Sequence, residues 1–140
     1  MKRPLTPSGA RPLSPHLSIY STQVTSAFSV LHRGTGIFLT LVLFAAIFSL
    51  DFISYGFPNY SIWRVSSAFT TGLAAEVISA LMVAAISFAL FLHLLTGIRH
   101  LIWDWMLFGF DLKQAKLSAQ IISFLAFFLT FLTLFHYLEF

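Results

Sequence analysis

Three apolar runs separated by polar stretches organise the chain. The first extends from about Val24 to Leu50, the second from about Leu73 to Trp103, and the third from about Leu117 to Tyr137. Each exceeds the roughly 20 residues that a helix needs to cross a bilayer core of about 30 Å. Hydrocarbon offers the backbone no hydrogen-bond partner, so such a run satisfies itself as a helix. Polar connections lie at 51–72 and 104–116, and a mixed segment, 1–23, precedes the first run. The pattern predicts an all-α membrane protein. Its three transmembrane helices fall within 24–140 and follow an interfacial N-terminal segment at 1–23.

That first segment contains Pro4, Pro7, Pro12 and Pro15, which exclude a continuous helix. No apolar stretch follows Lys2 and Arg3, so it does not read as a secretory signal. Leu13–Tyr20 mixes apolar and aromatic residues without helical period. It reads as an ordered stretch lying on a soluble partner or on the bilayer. In the connection at 51–72, Tyr55, Tyr60 and Trp63 suit an interfacial belt.

The second run carries the polar residues that bear on chemistry. At 100° per residue, His93, Gly97, His100 and Asp104 fall in one narrow stripe, continued backwards by Met82, Ile86 and Ala89. Ionisable groups within a membrane are costly, and their default reading is functional. His93 precedes Asp104 by about 16 Å along the axis at 1.5 Å per residue. With Asp104 at the water boundary, His93 lies near the bilayer midplane. A neutral imidazole there is a good axial ligand for haem iron. It is equally a residue that hydrogen-bonds a neighbouring helix, and the stripe alone leaves both readings open. Gly97, one turn on, removes a side chain where a flat macrocycle could lie. His100 sits near the interface, where a histidine costs little.

On the first helix Ser29, Arg33, Gly36 and Thr40 share a face, with His32 adjacent. A hydroxyl and a guanidinium together can donate to a carbonyl or carboxylate. Arg33 can also simply snorkel to the headgroups. The third run carries no charge, and His136 at its end reads as interfacial. Lys2, Arg3, Arg11, Arg33, Arg99, Lys113 and Lys116 all fall on one side of the membrane, against Arg64 alone on the other. This asymmetry predicts an N-terminus on the cytoplasmic or matrix side. It also brings His32, Arg33, Arg99 and His100 to the same membrane face.

Composition narrows the function further. The 140 residues are 58% hydrophobic and only 9% charged, which excludes an ordinary soluble core. With no cysteine, the chain holds no iron–sulfur cluster, thiolate zinc site or disulfide of its own. Any electron must therefore come from another subunit or leave through a non-thiolate cofactor. A net charge of +3 is too small and localised to suggest nucleic-acid binding. No nucleophile elbow, phosphate-binding loop or zinc-protease motif is present, so hydrolysis and phosphoryl transfer are unsupported.

Two segments together are similar to a known family. Residues 11–36, RPLSPHLSIYSTQVTSAFSVLHRGTG, resemble the N-terminal signature of cytochrome b membrane-anchor subunits of succinate dehydrogenase, respiratory complex II. The matching positions are Arg11, Pro12, Ser29, His32, Arg33, Thr35 and Gly36. Residues 93–104 resemble the same family's second signature, His-x-x-x-Gly-Ile-Arg-His followed by a hydrophobic residue, an aromatic and Asp104. Met106, where the family usually has a small residue, is the departure.

The resemblance implies that His93 is the axial ligand of haem b iron. It implies that His32, Arg33 and His100 meet the haem propionates, with Arg99 as a further candidate. Ser29 and Arg33 correspond to residues at the ubiquinone site. The implied partners are a flavoprotein subunit that oxidises succinate, an iron–sulfur subunit, and a second small anchor donating the other haem ligand. The implied location is the mitochondrial inner membrane or bacterial cytoplasmic membrane. The first signature opens at Arg11, so no cleavable leader is expected. Two other readings stay open at this point: the anchor of another quinone-linked oxidoreductase such as fumarate reductase, and a scaffold without haem.

Overall fold

A computed structural model of the chain describes residues 22–56, 67, 71–106, 109 and 111–139. The interfacial segment expected at 1–23 lies almost wholly outside these residues, as do Tyr60, Trp63 and Arg64. Three long helices account for nearly everything described: α1, Val24–Gly56; α2, Leu73–Met106; and α3, Leu112–Glu139. All three are long and apolar enough to cross a membrane. At 33 and 34 residues, α1 and α2 are about 50 Å long, well beyond a hydrocarbon core of about 30 Å.

The helices begin or end further into the polar connections than hydropathy predicts. The first runs six residues past Leu50, and the second includes Asp104–Met106. The third starts at Leu112 rather than near Leu117. Asp111 precedes it, and its carbonyl accepts from Ala115 N at 2.8 Å. Asp is a favoured residue at that capping position. A helix does not stop where the hydrocarbon stops. It stops where a cap or a turn residue ends it.

The pairing of α2 with α3 is the most extensive, that of α1 with α2 comes next, and α1 touches α3 least. The buried line of α2 is Ala89, Leu92, Thr96 and Arg99, and that of α3 is Ala115, Ala119, Ile122 and Ala126. Both lines step by three and four, the spacing of one helix face. The small residues let the two backbones approach, as they do between membrane helices generally. Leu92, Ile122 and Ala126 form the centre, with Phe28, Phe88, Phe91 and Leu95 packed around them. Hydroxyls inside the helices mostly donate to the carbonyl one turn back, for example Ser87 to Val83 O and Thr130 to Ala126 O. None of α1 is fully buried, and Ile37, Leu41 and Phe48 are each more than 60% exposed. Its outer face is therefore free for lipid or for another helix.

Candidate functional site

The site lies where α1 and α2 meet. Its centre is His93, half-buried on the flank of the α2 line that faces α1. His93 Nδ1 stands 3.0 Å from the backbone carbonyl of His32. A carbonyl can only accept, so Nδ1 carries the proton and Nε2 presents its lone pair. Thr35 Oγ1 is a second acceptor at 3.3 Å, its own proton directed to Leu31 O or His32 O.

His32 is held in a matching way by α2. Its Nδ1 lies 2.6 Å from Thr96 Oγ1. The Thr96 hydroxyl donates to Leu92 O at 2.6 Å, so its oxygen accepts the His32 N–H. Both imidazoles therefore have the same tautomer. Their rings stack with centroids 4.1 Å apart and planes 4° from parallel. His100 meets the His32 ring at its edge, at 5.5 Å, and Trp103 at 5.6 Å.

Gly36 makes this packing possible. A Cβ there would stand 2.9 Å from His93 Cε1, closer than carbon atoms approach. Gly97 is less tightly bound to its role. A Cβ there would meet His32 Cε1 at 3.7 Å, an ordinary contact. The space expected beside Gly97 for a macrocycle is thus taken by the His32 ring. The open space lies instead along α1, in a shallow cavity of about 600 Å³ lined by His32, Arg33, Gly36, Thr40 and His93 among others. Arg33 is exposed at its rim, and Ser29, one turn earlier, is half-buried.

Arg99 does not join this group. It points along the α2 line towards α3, donates from Nη2 to Ala115 O at 3.2 Å, and is 7% exposed. The same rotation about the helix that carries His93, Gly97 and His100 to α1 turns the residue before His100 to the other neighbour. The expected convergence of Arg99 with His32, Arg33 and His100 therefore holds for height in the membrane and fails for direction. Asp104, the end of the predicted stripe, is exposed. Thr96 is the site residue that sequence reasoning missed. Its signal was a hydroxyl three residues after His93, on the adjacent line of the same helix.

Three imidazoles and a guanidinium thus gather at one end of the α1–α2 pair. Among the described residues, no three His, Asp or Glu side chains converge as a chelating set. A metal bound at His93 would have to bring most of its other ligands with it, as a porphyrin iron does.

Residues 8–133 match the family model described as succinate dehydrogenase/fumarate reductase transmembrane subunit. The chain is 40% identical over 131 residues to a succinate dehydrogenase cytochrome b560 subunit of Marchantia polymorpha, covering 89% of this chain and 88% of that one. It is 36% identical over 124 residues to the cytochrome b560 subunit of Reclinomonas americana, covering 86% and 81%. To the cytochrome b556 subunit of Rickettsia felis it is 35% identical over 111 residues, covering 77% of each. With nearly the whole chain matched and three membrane-length helices in the fold, the protein belongs to the transmembrane subunit family of succinate dehydrogenase and fumarate reductase.

Proposed function

We propose that the chain is the cytochrome b anchor of a succinate:ubiquinone oxidoreductase and that His93 is an axial ligand of haem b. The observation that carries this is the hydrogen bond from His93 Nδ1–H to the His32 carbonyl. Ligating histidines donate their remote N–H to a carbonyl or carboxylate, which fixes the ring and makes the other nitrogen a better donor. The surroundings fit the group. Gly36 leaves the ring the space a Cβ would fill, and cationic or hydrogen-bonding side chains suited to carboxylates (His32, Arg33, His100) lie on the water-facing side of it. The cytochrome b names of the relatives agree.

When bound, haem supplies one-electron redox chemistry. The chain itself positions and tunes. His93 would hold the iron, its ring fixed by the bond to the His32 carbonyl. His32, Arg33 and His100 would offset the charge of its propionates. Ser29 and Arg33, one turn apart on α1, form a wall of the ubiquinone site. There the hydroxyl and guanidinium donate to a quinone carbonyl oxygen, and the guanidinium stabilises negative charge on it. Succinate is oxidised on a flavoprotein subunit, and an iron–sulfur subunit relays the electrons. A second haem ligand would be a histidine of another small anchor. The excess of Lys and Arg at the N-terminal end and second connection supports an orientation with that side in the matrix or cytoplasm.

The test is the absorbance of the purified membrane complex. The wild type is expected to show a reducible b-type band with stoichiometric haem b. His93→Leu should lose most of that haem while the anchor remains in the membrane. Unchanged haem content and spectrum would reject the ligand assignment.

A further inference from the structure

A second cavity, of about 570 Å³, lies between α2 and α3, on the side of α2 turned away from His93. It is almost wholly apolar. Leu95 lines it on α2, and Ile121 and Ile122 line it on α3. At the end nearest the second connection its character changes, with Arg99, Gln114 and Ser118 in the wall. From Gln114 to Ile122 the lining descends about 12 Å along α3. The cavity is thus a groove with a polar head near the interface and an apolar tail running into the membrane.

The guanidinium at its head is under-used. Nη2 reaches Ala115 O, and the face of the group lies 4.0 Å from the Trp103 ring centre. Nε is buried without a partner among the described residues. One hydrogen bond to a neutral carbonyl, out of five N–H donors, is poor compensation for burying a full charge. The interhelical packing explains why the stem of Arg99 is buried. It does not explain why a cation stands there. Lys113 and Lys116 do not line the groove, and Lys116 faces the start of α1 instead; the positive end of the α3 dipole lies near the groove's head. Arg99 is the one charged residue in the lining, so the head of the groove favours a negative charge.

We propose that this groove holds an anionic phospholipid, one acyl chain lying between α2 and α3 and the phosphate paired with Arg99, with Gln114 as a hydrogen-bond donor beside it. Guanidinium and phosphate match in geometry and charge. Basic residues at the cytoplasmic interface attract anionic headgroups generally. The groove shares no lining residue with the α1–α2 cavity, so the lipid binds independently of haem and quinone.

The test uses the intact complex, purified from membranes and exchanged into nanodiscs. Lipid that survives delipidation is extracted and quantified, and thermal stability is followed as dioleoyl-phosphatidylglycerol or dioleoyl-phosphatidylcholine is added back. The wild type should retain phosphatidylglycerol, and the delipidated complex should be stabilised by it and not by phosphatidylcholine. Arg99→Gln should weaken retention roughly tenfold, the loss of one charge-assisted contact. Ile121→Trp, which fills the groove and leaves Arg99 intact, should displace the lipid as well, and it decides the matter where Arg99→Gln does not assemble. Equal stabilisation by both lipids, the same effect from inorganic phosphate alone, or undiminished retention in Ile121→Trp would overturn the proposal. So would a segment of another subunit cross-linked into the groove.

Discussion

The ring of His32 lies flat on that of His93, and each is held by the helix that carries the other. The carbonyl of His32 on α1 takes the His93 N–H, and Thr96 on α2 takes the His32 N–H. The two helices are therefore registered to one another by a reciprocal pair of bonds rather than by shape alone. Thr96 is 1% exposed, so no water replaces it. Thr96→Val keeps the volume and removes the acceptor, leaving a partly buried N–H unpaired. Hydrogen bonds between membrane helices are modest, averaging about 0.6 kcal/mol and rarely above about 1.7. A loss of about 1 kcal/mol is expected in thermal melts of the purified complex, with Thr96→Ser close to wild type. Equal loss in both variants would assign the effect to packing.

Gly36 tests the same junction through space. A methyl group there meets His93 Cε1 at 2.9 Å, and the atom it meets belongs to a ring tied at Nδ1. The ring cannot yield without breaking its bond to the His32 carbonyl. Gly36→Ala is expected to lower haem content severalfold or to shift the reduction potential of what remains. Gly34→Ala, two residues away with open space around it, controls for the change in helix propensity and should behave as wild type. Matching behaviour of the two variants would remove Gly36 from the site.

Much of this arrangement was legible in the order of residues, for identifiable reasons. Hydropathy located three helices because lipid imposes one backbone solution. Angular spacing put His93, Gly97 and His100 on one face, and in the fold all three turn towards α1. What spacing could not supply was the identity of the neighbour on each side. Arg99 and His100 are adjacent in sequence and equal in height, yet one faces α3 and the other meets His32. Thr96 was invisible for a related reason. A hydroxyl in an apolar helix normally bonds its own backbone, as Thr40 does here. Only the approach of a second helix turns its oxygen into an acceptor. Hydropathy makes the helices too short because it records the membrane edge and not the cap.

Ser29 and Arg33 make a prediction about activity that separates quinone chemistry from succinate oxidation. They are one turn apart on α1, and Arg33 is exposed at the mouth of the cavity beside His32 and His93. Arg33→Ala should reduce ubiquinone reductase activity by roughly 10²-fold, the usual scale for removing one donor that stabilises developing charge. Ser29→Ala should cost less. Succinate oxidation coupled to a dye that takes electrons upstream should persist in both. Equal loss of the two activities would mean that the residues hold the complex together rather than bind quinone.

The second connection contains a test of how backbone and side chain share a position. Gly109 has φ of +96°, a conformation that side chains rarely adopt, and a Cβ there would stand 2.8 Å from Trp103 Nε1. That indole also lies under the Arg99 guanidinium. Gly109→Ala thus meets two costs, backbone strain of about 1–3 kcal/mol and displacement of a ring that packs a buried cation. Gly72, just before α2, has φ of +102° with nothing near a built Cβ, so Gly72→Ala carries the strain alone. Thermal stability of the complex should fall for both variants and further for Gly109→Ala. The difference between them measures the hold of Trp103 on its place. Identical losses would show that the indole moves aside freely, and the packing of Arg99 would then not depend on it.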